Sequence, residues 1–203
     1  MKNISIGIID YGMGNHASVI NSLRDIGFRV KVSKTPDELD LVDVLVLPGV
    51  GAFPAGMSAL YERDLVVYLK EQALLQRPFV GICLGMQLLA SSSREHQFTA
   101  GLDLIPGEIV PFSSNSWHIG WNTMECVGND SILALSDNQV FYFNHSFYYE
   151  GPAEYQLAIA RHHLVFPAAI RLGSIVGIQF HPEKSQEAGK ALLKNLITAL
   201  VYG

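Results

Sequence analysis

The chain has 203 residues, 49% of them hydrophobic and 16% charged, and its nineteen acidic and fourteen basic side chains leave a formal charge of −5. A chain of this size and apolar content can bury a substantial core, so a single domain over residues 1–203 is expected. The charge balance argues against nucleic acid as a partner, because phosphate binding needs a basic excess and the Lys and Arg residues here are scattered.

The first segment, MKNISIGIIDYGMGN, carries one lysine and a short apolar run broken by Asp10 and glycines, too short for a secretory signal. No stretch reaches the run of about 18 apolar residues that a membrane span requires. The expectation is a cytoplasmic protein without membrane contact. Two cysteines, Cys83 and Cys126, are too few for a disulfide framework and lack the CxxC spacing of a zinc site. Seven histidines include the adjacent pair His162 and His163, but no spacing suits a metal, and neither a metal nor another cofactor is expected.

Short β-branched runs alternate with segments of helical period. Strands are predicted at 4–9, 30–32, 44–47 and 79–83, with helices near 15–26, over 57–75, and starting at 84–90. This is βαβ punctuation, which implies an α/β fold with a mostly parallel sheet flanked by helices. Beyond Gly107 the runs at 108–112, 140–143, 156–161, 168–171 and 175–180 are closely spaced, which predicts a smaller antiparallel extension. The final segment puts Leu192, Leu196 and Leu200 on one face beside Leu193, Ile197 and Val201, and so reads as a packed helix.

Three places carry chemistry. In FVGICLGMQLL, Cys83 stands between an apolar strand and a helix, flanked by Gly81 and Gly85 in the GxCxG spacing of a nucleophile elbow. Taken alone, Cys83 is as readily a small core residue. The glycines favour the elbow, because a tight strand-to-helix turn needs close backbone approach and unusual dihedrals, while a core strand gains nothing from them. In GIQFHPEKSQ, His181 follows an apolar strand and Glu183 lies two residues on, with Pro182 stiffening the loop. A histidine can take a thiol proton and a glutamate can orient the imidazole, although a loop histidine beside a solvated glutamate looks the same in sequence. In LPGVGAF, backbone amides around Gly49 and Gly51 could hold an oxyanion, or the segment is a simple turn.

LPGVGAF, GICLGMQLL and FHPEKS, in that order along the chain, resemble the signature segments of class I (triad-type) glutamine amidotransferases. IIDYGMGN, HIGWN at 118–122 and FYFNHSF at 141–147 are similar to one branch of that family. Its members pass ammonia to a (β/α)8-barrel cyclase that closes an imidazole ring in histidine biosynthesis. The resemblance implies a flavodoxin-like fold, glutamine as substrate, and a heterodimer with the cyclase. It assigns Cys83 as nucleophile, His181 as base and Glu183 as orienter, with Gly49, Val50 and Gly51 in the oxyanion strand. Gly51, Gln87, Glu95, His145, Ser146 and Phe147 would hold the substrate, and Gly12, Met13, Gly14, Asn15, Trp121 and Tyr142 would face the partner.

The chain departs from the branch at Trp117, where a proline is expected. It departs again at Arg94 and His96 around Glu95, and at Phe147, where the family has tyrosine. These departures keep open a paralogous glutaminase that feeds another synthase, such as one making an amidino sugar. A non-catalytic binding or regulatory protein on the same fold, and a cysteine hydrolase, are further alternatives.

Overall fold

The computed structural model describes residues 4–14, 16–112, 116–128 and 130–203. The first half alternates as expected: β1 (Ser5–Ile9), α1 (His16–Asp25), β2 (Arg29–Ser33), a single turn α2 (Pro36–Leu39), β3 (Val44–Gly49), α3 (Phe53–Tyr61), α4 (Leu65–Leu74), β4 (Phe79–Cys83) and α5 (Leu84–Leu88). The second half is strand-rich: β5 (Ala90–Ser93), β6 (Thr99–Ala100), β7 (Ile105–Pro111), β8 (His118–Thr123), β9 (Glu125–Cys126), β10 (Val140–His145), β11 (Phe147–Glu150), β12 (Gln156–His162), β13 (Leu164–Leu172) and β14 (Ile175–Ile178). The helix α6 (Gln186–Tyr202) follows.

The main sheet runs β2-β1-β3-β4-β14-β13-β12-β9. Neighbours from β2 to β14 are parallel, and β13, β12 and β9 continue the sheet antiparallel. The parallel part has the 2-1-3-4-5 order of flavodoxin-like sheets, whose ligands sit beyond the carboxyl ends of the strands. Alternation sorts the core into two layers. On β3, Val44 and Val46 face the layer shared with α1 and α6, whereas Leu45 and Leu47 face the layer built by α3, α4 and α5. Leu192, Leu193, Leu196 and Ile197 of α6 are buried, with Leu200 and Val201 packed at the edge, as the periodicity predicts.

Three expectations are corrected. The helix predicted over 57–75 is two helices, because Asp64 adopts a left-handed conformation (φ 55°) that ends one and opens the other. The helix at 84–90 stops at Leu88, and the chain turns into β5. The carbonyls of Leu88, Leu89 and Ala90 accept from the amides of Leu102, Leu104, Ile105 and Asp103 at 2.9–3.0 Å, so long-range pairing replaces helix continuation. The strand expected at 168–171 begins at Leu164 and runs through Pro167, which lies opposite Ile159 next to an irregularity in the β12 register. A proline inside a strand is tolerated near such bulges.

β8 and β10 form a separate antiparallel ribbon, and β11-β7-β5-β6 a small third sheet. Both stand over the carboxyl ends of β3, β4 and β14.

Candidate active site

Parallel pairing sets Gly49, the last residue of β3, directly opposite Cys83, the last residue of β4. The expected oxyanion strand and the nucleophile are therefore neighbours by register. Cys83 itself carries the strained backbone of the elbow, φ 55° and ψ −110°, which aims a side chain off the end of the sheet. The flanking glycines serve by close approach rather than by their own dihedrals. A side chain on Gly85 would overlap the Leu47 carbonyl, and one on Gly81 would stand 2.7 Å from the Gly85 carbonyl.

β14 pairs Ile178 with Ile82, so the chain leaving β14 brings His181 to the same end of the sheet. The His181 amide donates to the Tyr142 carbonyl at 2.8 Å, and Ser185 Oγ donates to the His181 carbonyl at 2.6 Å while accepting from the Tyr142 amide at 3.0 Å. These bonds lock the loop to β10. His181 Nδ1 lies 2.8 Å from Glu183 Oε1. The carboxylate fixes a proton on Nδ1 and turns Nε2 toward Cys83. Burial alone would lower the His181 pKa, but the charge of Cys83 and a hydrogen bond to it, followed by Glu183, push it up to about 10.

A cavity of about 270 Å³ opens beside this trio, lined by Val50, Gly51, Cys83, Gln87, Glu95 and Trp117, with residues 144–147 and His181 completing its wall. The expected substrate-binding residues thus come together. Gln87 Nε2 donates to the Phe147 carbonyl at 3.2 Å and to Gln179 Oε1 at 3.1 Å, and Gln179 Nε2 lies 4.0 Å from Cys83 Sγ. The missing tyrosine hydroxyl at Phe147 matters little to this contact, which is made by the backbone. Glu95 has a second task that the sequence did not suggest. Its Oε2 accepts from the Phe53 amide at 2.6 Å and so caps the start of α3, just beyond the oxyanion strand. His96 stands 3.9 Å from its other oxygen.

Behind the cavity lies a histidine chain that sequence reading missed. Asn122 Nδ2 lies 3.1 Å from His118 Nε2, His118 Nδ1 lies 3.0 Å from His145 Nε2, and His145 Nδ1 lies 2.7 Å from the Phe147 carbonyl. The Phe147 carbonyl can only accept and the Asn122 amide nitrogen can only donate, so each ring carries its one proton on Nδ1 and both are neutral. Burial, then His162, lowers His118 to about 4; burial lowers His145 to about 3, against the hydrogen bond to Phe147 and reinforced by the neighbouring histidines. His162 stacks on His118 with centroids 4.4 Å apart, so the His162–His163 pair noted in sequence joins the cluster through His162, alongside His145, which was expected there only as a substrate contact. Among the described residues no group of three or more His, Cys, Asp or Glu is placed to hold a metal ion.

Of the expected partner-facing residues, Asn15 lies outside the described ones. Trp121 is exposed and meets Tyr142 edge-on at 5.9 Å across the β8–β10 ribbon, and Tyr142 lies 6.4 Å from the His181 ring. Gly12 and Gly14 have positive φ, 86° and 148°, and a side chain on Gly51 would stand 3.2 Å from Met13 Cε. The 12–14 loop therefore lies against the oxyanion strand, on the cavity side of the molecule.

The model for the family described as glutamine amidotransferase class-I matches residues 7–200. The chain belongs to this family. Among class-I amidotransferase relatives it is 46% identical to the imidazole glycerol phosphate synthase subunit HisH of Carboxydothermus hydrogenoformans, over 93% of this chain and 96% of that protein. It is 44% identical to the subunit of the same name from Listeria welshimeri, over 93% of each. It is also 40% identical to a subunit named HisH 2 from Vibrio vulnificus, over 96% of this chain and 94% of that one. A glutamine amidotransferase of Thermotoga maritima has the same fold, with TM-score 0.72 at 17% identity and full coverage of both chains. So does PurLQS of that organism, with TM-score 0.73 at 18% identity over 98% of this chain and 99% of that one. Among the described residues no helix is long and apolar enough to cross a membrane.

Proposed function

We propose that the protein is the glutaminase subunit of imidazole glycerol phosphate synthase, hydrolysing glutamine through Cys83, His181 and Glu183 and passing ammonia to a (β/α)8-barrel cyclase. The observation that carries the chemistry is the strained Cys83 elbow facing His181, whose imidazole is held by Glu183 at 2.8 Å, in one cavity with the oxyanion strand. The relatives' shared name, at 40–46% identity over nearly the whole chain, carries the choice of acceptor.

In this mechanism the Cys83 thiolate forms a bond to the side-chain amide carbon of glutamine, and the amide C=O electron pair moves onto oxygen. Backbone N–H groups of residues 49–51 stabilise that oxyanion, while Glu95 and the backbone of residues 145–147 hold the amino-acid end. His181 gives its proton to the amide nitrogen, the C–N bond breaks and ammonia leaves. A thioester remains on Cys83. His181, now neutral, takes a proton from water, the hydroxide adds to the thioester carbon, and the C–S bond breaks to release glutamate and restore the thiolate. The ammonia is useful only if it stays out of bulk water, where it would be protonated. On this reading the cyclase docks against the rim formed by Trp121, Tyr142 and the 12–14 loop.

Ammonia release from glutamine by the wild type and by Cys83→Ala, with and without the cyclase, tests the reading. Cyclase-stimulated release that Cys83→Ala abolishes is expected, and its absence would refute the assignment. A second reading, a paralogous glutaminase serving another synthase, draws on Trp117, which lines the cavity where the branch has proline. Rescue of a histidine auxotroph lacking the subunit separates the two.

A further inference from the structure

We propose that Tyr11 is a positioning residue for the oxyanion strand, its hydroxyl donating to the carbonyl of the Gly49–Val50 peptide when that peptide turns its N–H to the substrate. The inference rests on the glutaminase reading above and deepens it.

Tyr11 lies two residues beyond β1, in the IIDYGMGN segment, at the base of the 12–14 loop. It is fully buried, packed in the layer with Leu45, Leu47, Leu84 and Met86. Its hydroxyl is also buried and has no hydrogen-bond partner among the described residues. That hydroxyl abuts the oxyanion strand. A methyl group built on Gly49 would overlap it, and the same methyl would stand 3.0 Å from Leu84 Cβ and 3.2 Å from the Gly85 amide. The hydroxyl, Gly49 and the start of α5 thus form one wall immediately behind the nucleophile. Burial, and then the charge of Cys83, hold the phenol well above its ordinary pKa, so it is a donor at every working pH.

A buried hydroxyl without an acceptor is a net cost, and phenylalanine would fill the same space without it. The hydroxyl gains an acceptor if the neighbouring peptide has a second orientation. In a trans peptide the N–H and C=O point in opposite directions. An N–H aimed at the cavity therefore sends its carbonyl into the body of the protein, where a buried carbonyl needs a donor. Val50 supplies that N–H, is exposed, and lines the cavity; Gly49 supplies the carbonyl and touches Tyr11. Gly51, at φ 105°, gives the peptide a flexible far end.

The test compares wild type with Tyr11→Phe in complex with the cyclase, reading kcat and KM for glutamine, the melting temperature, and the rate at which iodoacetamide alkylates Cys83. Alkylation is a displacement at a saturated carbon that forms no oxyanion, so it reports the nucleophile alone. The expected result is a kcat lowered about three- to tenfold, the worth of one hydrogen bond gained in the transition state. KM and the alkylation rate should stay within about twofold, on the order of a fraction of one hydrogen bond, with a melting temperature equal to or above that of wild type. A kcat within that same margin of wild type overturns the inference. So does a fall in kcat matched by slower alkylation or a lower melting temperature, which marks general damage. A wild-type complex without Cys83-dependent hydrolysis overturns the glutaminase reading and this inference together.

Discussion

The two walls of the cavity are built differently. On one side Cys83 and the His181 loop are buried, cross-braced by Ser185 and Glu183, and flanked by glycines that admit no side chain. On the other, the oxyanion strand beyond Gly49 and the β8–β10 ribbon present Val50, Trp117, Ile119 and Trp121 to solvent, and Gly51 and Gly120 hold positive φ with few neighbours. The contrast teaches where control resides. On the proposed mechanism, nucleophile and base are set by folding, whereas the groups that would stabilise the oxyanion lie on the more exposed side, where a docked partner could move them.

The comparison breaks most sharply on the rigid side. Glu183→Gln should lower kcat by about a hundredfold or more, because the neutral amide no longer holds the imidazolium. Since Glu183 is among the groups that push His181 up to about 10, a pH–rate profile should also show the alkaline fall moving to lower pH. If the profile is unmoved, Glu183 does not orient the base. Gly85→Ala should cost about 3 kcal/mol in chemical denaturation, since the new methyl meets backbone that cannot retreat.

The histidine chain joins the two walls and should reveal itself by pH. His118 and His145 have folded pKa values of about 4 and about 3, below the unfolded value near 6.5. The unfolded chain therefore binds more protons, and the stability of the neutral chain is complete above that value and is lost as pH falls toward 4. By pH 5 each ring should cost about 2 kcal/mol. Denaturation at pH 7 and pH 5 should accordingly show a smaller acid loss in His118→Phe than in wild type. Equal losses would mean that the ring is not held neutral.

The exposed wall should give the smallest effect. Trp117 donates from Nε1 to Asn144 Oδ1 at 2.8 Å while lining the cavity. Removing it as Trp117→Ala should raise the KM for glutamine about threefold, roughly the worth of one exposed hydrogen bond, and leave kcat near wild type. A reversed pattern would place Trp117 in the chemistry.

The parts legible in sequence were those fixed by local pattern. The apolar run at 79–83 is β4 to the residue, and the helical period of the last segment gave the buried face of α6. That Cys83, His181 and Glu183 would come together was expected from the turn glycines, the proline and above all the family resemblance, and the structure does bring them to one end of the sheet. What the sequence hid depends on distant pairing. β5 exists because residues 101–105 take the carbonyls that a longer α5 would have used. The His118–His145–His162 cluster draws on three separate strands, and Gln179 and Tyr11 acquire meaning only from what the fold packs beside them.

The chain has only two tryptophans, Trp117 and Trp121, and both stand on or beside the exposed ribbon at the cavity mouth. Its indole fluorescence therefore arises wholly from that rim, with Trp117 lining the cavity and Trp121 packed edge-on against Tyr142. Each can be silenced by replacement with phenylalanine. If the proposed function holds, the molecule carries two optical gauges, one for glutamine at the cavity and one for the partner at the ribbon, without any label being attached.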